Sequence, residues 1–119
     1  MFRKKLDQPV DLMPQVQGGE GILCRRQFLL PEEAFGTGRL FAAFTLNPGD
    51  SIGYHKHEGE FELYYILKGK GLVRDNGEEY ILEEGDMMQC KNGDSHSIEA
   101  VGEENLEFIA IILHDKSGE

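Results

Sequence analysis

The sequence predicts an all-β domain, folded as a sandwich or a closed barrel. From Ile22 onward the chain is a succession of short apolar runs, each ended by turn residues, as expected for regularly spaced strands. Asp75-Asn76-Gly77 supplies a hairpin turn, because Asn-Gly accepts the two positive φ angles of a type I′ turn that matches strand twist. Two runs, Phe61-Glu62-Leu63-Tyr64-Tyr65-Ile66-Leu67 and Phe108-Ile109-Ala110-Ile111-Ile112-Leu113, are apolar on both faces apart from Glu62. Strands of that kind are covered from both sides.

In chain order, residues 1–21 read as an arm. Pro9 and Pro14 interrupt it and Gly18-Gly19-Glu20-Gly21 closes it. Its Leu6, Val10, Leu12, Met13 and Val16 are too apolar for a free tail, so the arm is expected to lie against the body or against a second subunit. Residues 22–119 then form a single domain. Strands are expected over 22–29, 39–46, 50–57, 61–67, 70–75, 78–82, 86–90, 96–101 and 106–113. Pro48-Gly49, Lys68-Gly69-Lys70-Gly71, Glu84-Gly85-Asp86 and Asn92-Gly93-Asp94 provide the turns between them. The one helix candidate, Pro31-Glu32-Glu33-Ala34-Phe35, has proline at a first-turn position with acids behind it, enough for one or two turns. In a barrel the outer face of the two apolar strands needs a second sheet, the arm or a partner subunit to cover it.

At 119 residues the chain has room for one domain with a real core. Its 39% hydrophobic and 29% charged residues suit a globular protein and not a disordered one. No apolar run approaches the ~18 residues of a membrane span, so no membrane partner is expected. Twelve basic against 22 acidic residues leave a formal charge of -10. That charge repels a phosphate backbone, and no basic patch with interleaved aromatics is present, so no nucleic-acid partner is expected. The opening Met-Phe-Arg-Lys-Lys-Leu-Asp has no apolar stretch behind it, so a secretion signal is not expected and a cytoplasmic location is. Cys24 and Cys90 fall in no CxxC pattern and read most simply as reduced thiols; the spacing leaves a bridge between them open.

Chemistry concentrates in three of the four histidines. His55 and His57 are separated by one residue at a strand end, and positions i and i+2 of a strand point the same way. Glu62 follows a short turn containing Gly59, at the start of the next strand. An adjacent antiparallel strand can set it beside the two imidazoles. His96 begins a later strand and can close the set. Three neutral imidazoles and a carboxylate make a mixed N/O site for a divalent transition metal: Mn, Fe, Ni, Co, Cu or Zn. Octahedral geometry would leave two positions for water, substrate or dioxygen. Glu58 and Glu60 are rival carboxylates and read as solvated.

At these positions the sequence resembles the cupins. Gly49-x5-His55-x-His57-x4-Glu62-x6-Gly69 fits the first cupin motif at every fixed position, and Gly85-x5-Lys91-x-Gly93-x2-His96-x3-Ala100 keeps both glycines and the histidine of the second. Lysine stands where the family usually has proline, and alanine where it usually has asparagine. The 15-residue spacer, 70–84, is typical of compact microbial members. The resemblance implies a small double-stranded β-helix, a jelly-roll barrel, often dimeric, with His55, His57, Glu62 and His96 as metal ligands. A weaker likeness, to small oxalate-decarboxylase-like cupins, lies in the Gly-Gly-x-Gly arm, an early-strand arginine and the single short barrel.

Polar groups that can face the interior are few. Tyr64 shares the parity of Glu62 and should point inward; Tyr54 and Lys56 should point away. Arg25, Arg26 and Arg39 lie on early strands, where one guanidinium can hold a carboxylate by two hydrogen bonds. Arg25 and Arg26 are adjacent, so one faces in and the other out, with the phase open. Tyr64, Arg25 and Arg39 are the substrate-binding candidates. No catalytic acid or base is assigned. His114 reads as an exposed strand-end residue, Met87 and Met88 as core filling, and Cys90 as a small buried hydrophobe. The function expected is that of a metalloenzyme acting on a small polar or carboxylate-bearing molecule, oxalate-decarboxylase-like or dioxygenase-like. The alternative is a metal-dependent ligand-binding or sensing module without turnover. A homodimer is expected.

Overall fold

The computed structural model describes residues 1–118. Ten strands follow in chain order: β1 Val10–Pro14, β2 Ile22–Leu29, β3 Gly38–Leu46, β4 Ser51–Lys56, β5 Glu60–Lys68, β6 Lys70–Asp75, β7 Glu78–Leu82, β8 Met87–Cys90, β9 Ser95–Val101 and β10 Leu106–His114. Each strand expected from residue 22 onward is present to within one residue at either end. They form two antiparallel sheets, one of six strands in the order β1-β2-β3-β10-β5-β8 and one of four in the order β4-β9-β6-β7. The sheets face each other as a flattened barrel, the double-stranded β-helix implied by the sequence.

Local chemistry sets the strand ends. Asn76 and Gly77 take φ of 49° and 89°, and the hairpin they turn pairs Asp75 with Glu78, as a type I′ turn requires. The helix candidate closes as a single 3-10 turn, Pro31–Ala34, with the Leu30 N–H donating to Glu33 Oε1 at 2.8 Å. Phe35 then enters the left-handed region and ends it.

Alternation along the strands builds the core. Leu40, Ala42, Phe44 and Leu46 of β3 face inward, as do Leu106, Phe108, Ala110 and Ile112 of β10. Ile52, Val73, Leu82, Ile98 and Ala100 meet them from the smaller sheet. Phe108 is fully buried and meets Phe44 edge-on at 5.4 Å and Tyr64 at 4.8 Å between ring centroids, an arrangement that adds to simple area burial.

The arm carries a strand that the sequence did not reveal. β1 pairs antiparallel with β2 from Val10↔Arg26 to Pro14↔Ile22. It lies at the sheet edge, where Pro14 is tolerated because its missing N–H faces away from the ladder, and Pro9 precedes the strand. Met13 and Val16 pack on the core, while Leu6 and Leu12 stay exposed. The second sheet covers only the inner face of β5 and β10. On the outer face Tyr65, Leu67 and Met87 are exposed in the single chain. Among the described residues, no helix is long and apolar enough to cross a membrane.

Candidate metal centre

Three strands deliver the four candidate ligands. His55 lies near the end of β4 with His57 just past it, Glu62 lies on β5 and His96 on β9. His55 and His96 are cross-strand partners. β4 does not reach this arrangement as a regular strand. Its register runs Ile52↔Ile98 and then His55↔His96, so three steps on β4 oppose two on β9. The extra residue, at Gly53-Tyr54, is a β-bulge, a device that re-aims side chains. It turns both histidines inward and leaves Tyr54 and Lys56 exposed, as their parity predicts.

The turn before His96 is pinned to the same edge. Gly93 N–H donates to the His57 carbonyl at 2.7 Å, and His57 N–H donates to the Asp94 carbonyl at 3.1 Å. Asp94 N–H closes onto the Lys91 carbonyl at 2.9 Å. The turn thus holds its shape with lysine in the usual proline position.

Among the described residues, the buried polar or charged ones are His57, Glu62 and His96. Glu62 Oε1 lies 3.0 Å from His57 Nε2, 2.9 Å from His96 Nε2 and 3.8 Å from His55 Nε2. His57 Nε2 is also 3.1 Å from the Nε2 atoms of both His55 and His96. Ligand atoms held at about 2.1 Å from one ion and at right angles sit about 3.0 Å apart, so the spacing fits a shared cation.

Each imidazole is also approached from behind, at its outer nitrogen. His55 Nδ1 is 2.7 Å from the Gly53 carbonyl, a pure acceptor, so Nδ1 carries a hydrogen, and in the neutral ring Nε2 bears a lone pair. His96 Nδ1 faces the Met88 thioether at 3.4 Å, and His57 Nδ1 faces the Glu60 carboxylate at 3.6 Å. With hydrogens on the outer nitrogens, three lone pairs and a carboxylate oxygen converge with no hydrogen among them. A cation resolves that arrangement, and such outer-shell acceptors are what orient metal-binding histidines.

The electrostatics agree. Burial opposes the charge on Glu62, yet its contacts with His55, His57 and His96 hold its pKa well below the ordinary carboxylate range. Burial also works against charging His55, but Glu62 and the Gly53 carbonyl outweigh it and the pKa rises. For His96 burial wins and the pKa falls, with the other two histidines adding to the effect.

Residues 42–112 match the family described as Cupin domain. The chain belongs to the cupin family. An oxalate-binding protein of Thermotoga maritima is 46% identical over 98 residues, covering 82% of this chain and 81% of that one. A crystal structure from Thermotoga maritima, described as a predicted oxalate decarboxylase, superimposes with a TM-score of 0.92 at 40% identity, over 97% of this chain and all of that one (100%). The tetracenomycin polyketide synthase protein TcmJ of Streptomyces glaucescens is 33% identical over 72% of this chain and 55% of its own length.

A cavity of about 160 Å³ in this cupin is lined by His55, His57 and Glu62. Tyr64, Arg25 and Arg39 all line it. Tyr64 is buried and stacks on His96, with centroids 4.9 Å apart and planes 18° off parallel. Burial, and then the Glu62 carboxylate, raises its phenol pKa. The phase of the arginine pair is settled by Leu23, which is buried. Arg25 shares its parity and faces the cavity, while Arg26 donates to the Lys5 carbonyl on the other side. Arg25 Nε and Nη2 both donate to Asp11 Oδ2, at 3.1 and 2.7 Å. Arg39 Nε donates to Glu60 at 3.0 Å.

Two features escaped the sequence. Glu60 was expected to be solvated like Glu58, but its side chain is 16% exposed against 78% for Glu58; it sits between Arg39 and His57 because it already belongs to β5. Met13, Val16 and Gln17 of the arm form one wall of the cavity. The close approach of Gly19 to β4 makes this possible, and only Gly18-Gly19 signalled it. Cys90 is buried as expected, its thiol pushed up to about 12 by burial and then by Glu62. Cys24 and Cys90 are both free thiols. Met88 is core, whereas Met87, expected with it, is exposed on the outer face of β8.

Proposed function

We propose that this cupin binds a divalent transition metal through His55, His57, Glu62 and His96 and uses it to hold a small carboxylate-bearing molecule. The observation that carries the reading is the meeting of three imidazole nitrogens and one carboxylate oxygen, all within 4.8 Å of one another, with the outer ring nitrogens turned toward acceptors. A divalent ion there would supply Lewis acidity to a bound carboxylate. Arg25 and Arg39, each held by a carboxylate through part of its guanidinium, would offer their remaining N–H groups to the other end of the ligand. Tyr64 forms the inner wall. The 46% identical relative, named an oxalate-binding protein, supports a ligand of this class.

Binding without turnover is favoured by the lining of the cavity. Apart from His55, His57 and Glu62, its polar side chains are Gln17, Arg25, Arg39 and Tyr64. Arginine does not give up its proton, glutamine does not titrate, and the Tyr64 pKa is raised. None can act as general acid or base near neutrality. Catalysis of the oxalate-decarboxylase or dioxygenase kind is the second reading, supported by the 40% identical structure described as a predicted oxalate decarboxylase.

Metal-stripped protein reloaded with Mn(II), Fe(II) or Co(II) tests both. Calorimetric titration with oxalate should give saturable binding that needs the metal. Equal binding without metal, or none with it, overturns the proposal. Release of carbon dioxide or uptake of dioxygen on multiple turnovers would select the enzyme reading. We also propose a cytoplasmic homodimer joined through the outer face of β5 and β10, where Leu63, Tyr65, Ile109 and Ile111 lie. Sedimentation should give twice the 13.4 kDa of one chain, and a monomer would refute it.

A further inference from the structure

We infer that Glu60 is a positioning residue that serves both ends of the cavity at once, orienting His57 for the metal and Arg39 for the anion. The inference rests on the reading of the site above and adds a residue to it. Glu60 Oε2 lies 3.0 Å from Arg39 Nε and 3.6 Å from His57 Nδ1, and Glu60 Oε1 lies 3.2 Å from Arg39 Nε. Both of those partners line the cavity.

The three imidazoles differ in what stands behind them. His55 has a backbone carbonyl and His96 a thioether, both neutral. Among the described residues, only His57 has a carboxylate behind it, and that carboxylate also reaches a side chain at the mouth. A carboxylate behind a ligating imidazole fixes its orientation and makes its other nitrogen a better donor. At 3.6 Å the contact is longer than a hydrogen bond, so it acts through charge and shape. The Glu60 side chain is 16% exposed, against 60% and 53% for the carboxylates of the surface pairs Lys70–Glu83 and Arg74–Glu79. Solvent screening that makes exposed pairs weak is reduced toward His57, whose side chain is 3% exposed, while Arg39 at 52% keeps one side in solvent.

The test uses full-length protein, wild type and the variants Glu60→Ala, Glu60→Gln and Arg39→Ala. Each is titrated with Co(II), and then, once loaded, with oxalate; the visible spectrum of bound Co(II) reports the ligand field. Glu60→Ala should weaken Co(II) binding by up to roughly tenfold, the low end of the cost of losing a hydrogen-bonded partner behind a ligating histidine, and shift the spectrum. It should also weaken oxalate binding about as much as Arg39→Ala does. Arg39→Ala should keep the wild-type Co(II) affinity and spectrum. Glu60→Gln, which retains an acceptor without the charge, should fall between wild type and Glu60→Ala in both affinities. If the alanine variant fails to fold, the glutamine variant carries the test, and wild-type values for both affinities then overturn the inference. Wild-type Co(II) affinity and spectrum in a folded Glu60→Ala would likewise reduce Glu60 to an ion-pair partner of Arg39 and leave the metal site standing. Wild-type protein that binds no Co(II) would overturn both the site and the role given to Glu60.

Discussion

Ile52 and His55 both face the barrel interior although they stand three residues apart on one strand. A regular strand brings residues two apart to the same face. The extra residue between them reverses the phase of β4, so the segment that begins by packing core ends by presenting two imidazoles. Gly53 sits in that bulge. Its carbonyl accepts from His55 Nδ1, and the space above its Cα is filled by the Gln17 carbonyl and the Gly19 amide. Bulge, arm and histidine pair therefore form one unit.

Gly53→Ala should break that unit. The added methyl would overlap the backbone of Gln17 and Gly19, and neither atom is the end of a flexible side chain. Overpacking of this kind costs about 1–3 kcal/mol. Denaturant unfolding should show that loss. Hydrogen exchange at the Ser51 amide, which donates to the Glu20 carbonyl at 2.9 Å, should speed up as the arm lifts. A variant with wild-type stability and wild-type exchange would mean the arm is not seated on β4.

Removal of one ligand should abolish tight metal binding, while removal of a histidine outside the cluster should not. His57→Ala takes away the ring whose Nε2 lies within 3.1 Å of both other imidazole nitrogens. His114 is exposed at the end of β10, and among the described residues it is not in the cluster. Metal analysis of the purified proteins should find His57→Ala depleted at least tenfold and His114→Ala at wild-type occupancy. Full occupancy in His57→Ala would remove it from the ligand set.

Why the four groups could be read from sequence, and their supports could not, is a matter of range. His55 and His57 share a face under any phase and His96 opens the partner of β4, whereas Glu62, expected on an antiparallel strand adjacent to theirs, opens β5 of the facing sheet and reaches them across the barrel. Those positions need only strand ends, which Gly and Asn mark. The bulge changes the phase inside a strand, and its one marker, Gly53, looks like any glycine. Glu58, Glu60 and Glu62 are alike in composition, yet their side chains are 78%, 16% and 3% exposed, because each successive pair of residues goes one pleat deeper into β5. β1 was missed because Pro9 and Pro14 argue against a strand in general, but not against one at a sheet edge. Arg25 and Arg26 could be separated only once Leu23 was known to be buried.

Metal affinity should rise with pH across neutrality. His55 is the group responsible, since its pKa lies above the ordinary value of about 6.5. A histidine shifted that way stabilises the fold while protonated. That contribution is fully present below the unfolded value and is lost as pH rises through the folded one. Metal needs the neutral ring and so competes with this proton. His96 is shifted down and needs no such displacement. Glu62 is shifted the other way from His55 in its effect: its ionised form stabilises the fold above the ordinary carboxylate range, and that is lost only in strong acid. Competition titrations with Co(II) at pH about 6, 7 and 8 should show affinity climbing, by up to about tenfold per unit where one proton is displaced. A flat profile would mean that His55 does not give up a proton on metal binding.

The two thiols should separate cleanly by reactivity. The thiolate is the reacting form, and the Cys90 pKa is pushed up to about 12 by burial and by Glu62. Cys24 is half-buried and lines a groove on the outer surface with Lys5 and Gln8. Iodoacetamide at pH about 8 should add one label to the folded protein, at Cys24, and a second only after unfolding, as read by intact mass and peptide mapping. Cys90 is the cross-strand partner of Glu62 on β8 and β5. Labelling of both cysteines at similar rates would therefore require β8 to separate from β5 in the native state, and the strand carrying Glu62 would lose its support with it.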